Sequence, residues 1–167
     1  MTSVDIGSLV GETTSGLATR PPADGWAACA SIWARVYVQA GPGWVKWPHL
    51  RAAADVAFTT ALARATGSAD PADEDLARLG AFDVEDDGSP EWQHVLDVTT
   101  MLLAALQDDD LESTLRATVT TYLEGAFTML ANDHARVAGR PLGQPEAEQA
   151  LAGDERWQRA VGFVRAL

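Results

Sequence analysis

The sequence predicts an all-α protein, a compact single-domain bundle of six to seven helices around a central antiparallel helical hairpin. Three observations carry that prediction. Trp92, Val95, Leu96, Thr99, Leu102, Leu103 and Leu106 recur at intervals of three and four residues, as do Leu111, Leu115, Val119, Tyr122, Ala126 and Leu130. Each set therefore lies on one face of a helix. Asp108, Asp109 and Asp110 stand between the two sets, where carboxylates accept unpaired backbone N–H groups and favour the positive end of a helix dipole. The other segments are punctuated by proline, glycine and acidic residues in the order that starts and stops helices.

Residues 1–22 read as weakly ordered or as a short helix. Val4, Ile6, Leu9, Val10 and Leu17 can share a face, but Gly7, Gly11 and Gly16 each cost a helix about 1 kcal/mol against alanine. Pro21 and Pro22 break the chain, and Asp24 is placed to cap a second helix with Trp26, Ala30, Trp33 and Tyr37 as its buried stripe. Gly41-Pro42-Gly43 is expected to end it. Pro48 suits the first turn of a third helix because its missing N–H would be unpaired there. Leu50, Ala54, Ala57, Phe58, Ala61 and Ala65 follow in register, and Gly67 is the stop.

Asp70-Pro71 opens a short helix that ends at Gly80, and the acidic residues from Asp83 to Asp87 read as a solvated loop. Ser89-Pro90 then begins the first hairpin arm, 90–107. The second arm, 110–138, is preceded by Asp109, three residues before Glu112, the spacing of a reciprocal cap. Thr118, Val119, Thr120, Thr121 and Tyr122 favour a strand locally, and the helical periodicity on either side outweighs them. Gly139-Arg140-Pro141 closes this arm. Trp157, Val161, Val164 and Leu167 mark a terminal helix that starts at Pro145 or at Asp154.

A chain of 167 residues has the length of one domain and buries enough surface to need no covalent staple. Cys29 is the only cysteine, which excludes an intrachain disulfide and a thiol-only metal site. Its small and apolar neighbours Ala28, Ala30 and Ile32 suggest a buried, inert thiol. The amino terminus lacks the basic start and apolar core of a signal peptide, and no apolar run approaches the ~20 residues that span a bilayer. A cytoplasmic protein without a membrane partner is expected. The formal charge is −12 and Lys46 is the only lysine. Such a chain repels phosphate backbones and attracts basic proteins, so the expected partner is a basic protein and not a nucleic acid.

Glu91 and His94 have the i, i+3 spacing that carboxylate-bridged bundles use for metal ions. Those sites need the motif twice. Glu124, Asp133 and His134 do not repeat it, because adjacent helical residues point about 100° apart, so neither a metal nor a cofactor is expected. Trp44, Lys46, Trp47 and His49 cluster between Gly-Pro-Gly and a helix start, a composition suited to partner recognition; the competing expectation is that both indoles pack inward and staple the helix. His49, His94 and His134 are the only histidines, and no nucleophile elbow or phosphate loop accompanies them. Consecutive acids in turns serve as solvated caps, and Asp83 to Gly88 lacks the ligand pattern of a calcium loop.

Ala30, Arg35 and Tyr37 form the pattern Ala-x-x-x-x-Arg-x-Tyr, which resembles the YjaG-like family of uncharacterised bacterial helical proteins. The resemblance extends from about Trp26 through Asp97 to Glu155, Trp157 and Gln158; Val38-Gln39-Ala40 departs from the family's Pro-Asn-Tyr. It implies an all-helical single domain and supplies no activity. The residues themselves favour a non-catalytic protein-binding module, an inhibitor, immunity factor or regulatory partner. The alternative is a bundle with a pocket for a small apolar ligand, walled by Trp26, Trp33, Tyr37 and Trp92 with Arg35 as an anion contact. Self-association as a homo-oligomer is compatible with either.

Overall fold

In the computed structural model, residues 4–39, 41–68 and 110–167 are described. They form an all-α bundle with six helices of nine residues or more and one four-residue turn of helix. No strand occurs among the described residues.

Helix α1 spans Ile6–Ala18. Asp5 starts it by accepting hydrogen bonds from the Gly7 N–H at 3.0 Å and the Ser8 hydroxyl at 2.7 Å. Leu9, Val10, Thr14 and Leu17 are buried, and a side chain at Gly11 or Gly16 would meet open space. These glycines weaken propensity without opening a hole, and burial of the other face outweighs them. Residues 4–22 thus contain a capped, docked helix.

Helix α2 (Pro22–Gln39) begins three residues earlier than a cap at Asp24 would place it. Asp24 lies inside its first turn, and the Asp24 N–H donates to the Pro21 carbonyl at 2.9 Å. The stripe of α2 buries Trp26, Cys29, Ala30, Ile32, Trp33 and Val36, whereas Tyr37 is only half-buried. Gly41–Trp44 is itself a helical turn, α3, so Gly-Pro-Gly redirects the chain into another turn and not into a plain loop. Helix α4 (Pro48–Thr66) carries Pro48 at its start and ends at Gly67, with φ of 68°. That left-handed conformation is favoured by glycine because it lacks a Cβ.

Helix α5 (Leu111–Ala138) is the longest described. Its cap is Asp110 and not Asp109: the Asp110 carboxylate accepts from the Glu112 N–H at 3.1 Å and the Ser113 hydroxyl at 2.7 Å. Thr118 to Tyr122 are helical, and Gly139 (φ 69°) ends the helix. Both candidate starts for the terminal segment are used. Pro145 lies in the first turn of α6 (Gln144–Ala152), and Asp154 caps α7 (Glu155–Arg165).

α5 contacts α1, α2, α6 and α7, while α2 also packs on α4. Trp33 and Ile32 of α2 are fully buried, and the covered face of α4 consists mainly of Ala53, Ala54, Ala57, Ala61 and Ala63 with Leu50 and Thr60. Bulky residues on one helix and alanines on the other allow close approach without voids. Leu115, Val119 and Leu123 from α5, and Leu151, Trp157, Val161 and Val164 from α6 and α7, complete one continuous core among the described residues. The short helix expected at 70–80 and the first hairpin arm, 90–107, lie outside the described residues, as do Glu91, Trp92 and His94. No helix among the described residues is long and apolar enough to cross a membrane.

Candidate functional site

Where α5 meets the start of α7, polar side chains replace the apolar core. The Asp154 carboxylate accepts from the Arg156 N–H at 2.8 Å, which caps α7. Arg156 then curls back on its own cap, donating from Nε to Asp154 Oδ1 at 3.2 Å and from Nη2 to Asp154 Oδ2 at 2.8 Å. From Nη1 it reaches Asp133 Oδ2 on α5 at 2.8 Å. His134, the next residue on α5, places Nε2 at 2.9 Å from Asp154 Oδ2. With a proton on Nε2 the imidazole donates to that carboxylate. Asp133 also faces Arg136 at 3.4 Å.

The Asp154 side chain is only 8% exposed. Its hydrogen bonds from the Arg156 side chain, above all, hold the carboxyl well below the usual range against the opposing pull of burial. The same bonds keep Arg156 more firmly protonated than an isolated arginine. An open recess of about 320 Å³ lies beside this group, lined by Asp133, His134, Arg136, Val137 and Arg156. The arrangement fixes a guanidinium and an imidazole at the edge of solvent. Local spacing gave no sign of it, because Asp133 and His134 meet partners some twenty residues further along the chain.

The aromatic loop is built differently. Trp44 and Trp47 are buried, and the Trp44 indole N–H donates to the Tyr37 carbonyl at 2.9 Å. The Tyr37 and Trp44 rings stack at 5.0 Å, and Lys46 lies over the Trp47 ring at 5.0 Å. Both indoles therefore take the packing role, and the loop offers solvent Val45, Lys46 and His49 in place of an aromatic surface.

Of the residues proposed as pocket walls, Trp92 lies outside the described residues. Trp33 is fully buried in the core and Trp26 nearly so, Arg35 lies over the Phe163 ring at 4.3 Å, and the Tyr37 hydroxyl donates to Asp55 at 2.5 Å. Neither the recess of about 320 Å³ nor another of about 20 Å³ among the described residues, bordered by Val4, Phe127, Leu151 and Trp157, is lined by Trp26, Trp33, Arg35 or Tyr37. Cys29 is fully buried, and burial pushes its thiol up to about 12 against the opposing effect of the nearby Thr118 hydroxyl. No group of three or more His, Cys, Asp or Glu side chains suited to a metal ion occurs among the described residues.

No family model matches the chain, and no curated protein or solved structure matches it.

Proposed function

We propose that this protein is a non-catalytic binding module for a protein with a basic surface, in the manner of an inhibitor, immunity factor or regulatory partner. One observation carries the reading: the distribution of charge. Residues 69–109 hold 12 of the 24 acidic residues and only Arg78 of the 12 basic ones, while the described residues carry 12 acids against 11 bases. A net of −11 therefore falls on one continuous stretch between α4 and α5, and −1 on the described helices. Like charges confined to one stretch repel each other, and a basic partner relieves that repulsion while being drawn in over a screening length of about 8 Å at physiological salt.

The test uses an oligoarginine peptide with the intact chain. Binding should weaken at least about tenfold between 50 and 200 mM salt, in line with charge-driven association. Neutralising Asp83, Glu85, Asp86 and Asp87 to their amides should weaken it far more than neutralising Asp5, Glu12, Asp24 and Glu124 on the described helices, although the charge removed is the same. Equal losses from the two sets, or binding indifferent to salt, would overturn the proposal.

A further inference from the structure

We propose that the recess between the end of α5 and the start of α7 is a binding site for a small oxyanion, a phosphate or carboxylate group. Its lining contains two guanidinium groups, Arg136 and Arg156, against the single carboxylate of Asp133. The second acid, Asp154, is only 8% exposed and lies beneath the guanidinium it orients. Among groups facing the recess, cations thus outnumber anions, although the described helices as a whole are slightly acidic.

The donors are also preorganised. Arg156 is gripped through Nε, Nη1 and Nη2 by Asp154 and Asp133, while 48% of its side chain is exposed. A guanidinium carries five N–H groups, so two remain for a ligand after these three bonds, in a plane already fixed. Holding a fork in place before binding removes part of the entropy that a mobile arginine would lose. Arg136 is 80% exposed and touches Asp133 only at 3.4 Å, which leaves it free to turn onto a ligand. His134 borders the same recess with Nε2 committed to Asp154. Val137, 89% exposed, gives the recess an apolar flank, so the ligand is an oxyanion carrying a small non-polar portion. At about 320 Å³ the recess falls at the small end of ligand clefts, which span roughly 300 to 1,000 Å³. The residues that line this site all fall outside 69–109 in the sequence, and the site does not depend on a basic partner.

Titration of the intact protein with inorganic phosphate, and separately with acetate, at ionic strength held constant with sodium chloride, tests the site. Side-chain NMR should show saturable shifts at Arg136, Arg156 and His134. Arg136→Gln should weaken binding about tenfold, the effect of losing one charge-assisted contact, and should leave the melting temperature unchanged because the side chain is exposed. Tighter binding of phosphate identifies a phosphate-bearing ligand, and tighter binding of acetate a carboxylate. The absence of a saturable shift with both anions, or unchanged binding by Arg136→Gln, would overturn the assignment.

Discussion

The two ends of α5 are held by different physics. Its first half buries Leu115, Thr118, Val119, Tyr122 and Leu123 against neighbours that include α1 and α2. Its last turns carry Asp133, His134 and Arg136 into an ionic network with Asp154 and Arg156. Apolar burial has no preferred direction and scales with area, whereas the polar end depends on a few donor and acceptor positions fixed to within tenths of an ångström. The first half should therefore respond to side-chain volume, and the second to protonation and charge.

Truncation in the apolar core that the first half of α5 shares with α2 should have the largest effect. Trp33→Ala empties a fully buried site and should destabilise by about 3–5 kcal/mol, and Leu123→Ala by about 2–5 kcal/mol, measured by urea denaturation. A loss below 1 kcal/mol in either would mean that this core is not held by packing. At the polar end, Asp154→Ala removes the cap of α7 together with the hinge of the network, for about 1 kcal/mol.

Protonation offers a cleaner contrast. Asp154 has its folded-state pKa depressed, so its contribution is fully present above the unfolded carboxylate value, about 3.9, and is lost as pH falls toward the folded value. Glu146, bonded to Arg140 and to the Gly143 N–H, behaves alike as pH drops from 4.5 toward its folded value of about 2. Stability measured from pH 5 to pH 2 should fall less steeply in Asp154→Asn than in the unaltered protein. Parallel curves would remove Asp154 from the acid response. The smallest effect is expected at Gly25, where an added Cβ would come within 2.9 Å of Leu111 Cδ2. Leu111 is only half-buried and can swing aside, and alanine gains up to about 1 kcal/mol of helix propensity. Gly25→Ala should accordingly melt within a few degrees of the parent.

The apolar end was also the more legible one. Periodicity located Leu115, Val119, Tyr122 and Leu130 on the buried face, and Gly67 and Gly139 at helix stops, because those features depend on neighbours three or four residues away. Boundaries slipped where two acids or two prolines offered equivalent caps: Asp110 serves where Asp109 was expected, and α2 starts at Pro22 ahead of Asp24. The glycines of residues 4–22 argue locally against a helix, while the burial of Leu9, Val10 and Leu17 depends on distant helices. The His134 to Asp154 contact joins residues from separate helices, and no spacing rule reports such a meeting. Trp44 and Trp47 were ambiguous for a related reason: sequence shows that aromatics are present, and only tertiary packing decides which way they face.

The contact between Gly25 and Leu111 bears on mechanical load. Ser68 and Asp110 are the described residues that border the acidic stretch, so a pull applied at those two residues loads α4 at its end and α5 at its start. At Ser68 the chain leaves through the left-handed Gly67, the end of a helix whose last turns fray most readily. At Asp110 it enters a capped helix whose first side chain, Leu111, lies beside Gly25 of α2. Traction should unwind α4 from its tail before it dislodges α5, and the order of rupture in a single-molecule stretching experiment would reveal it.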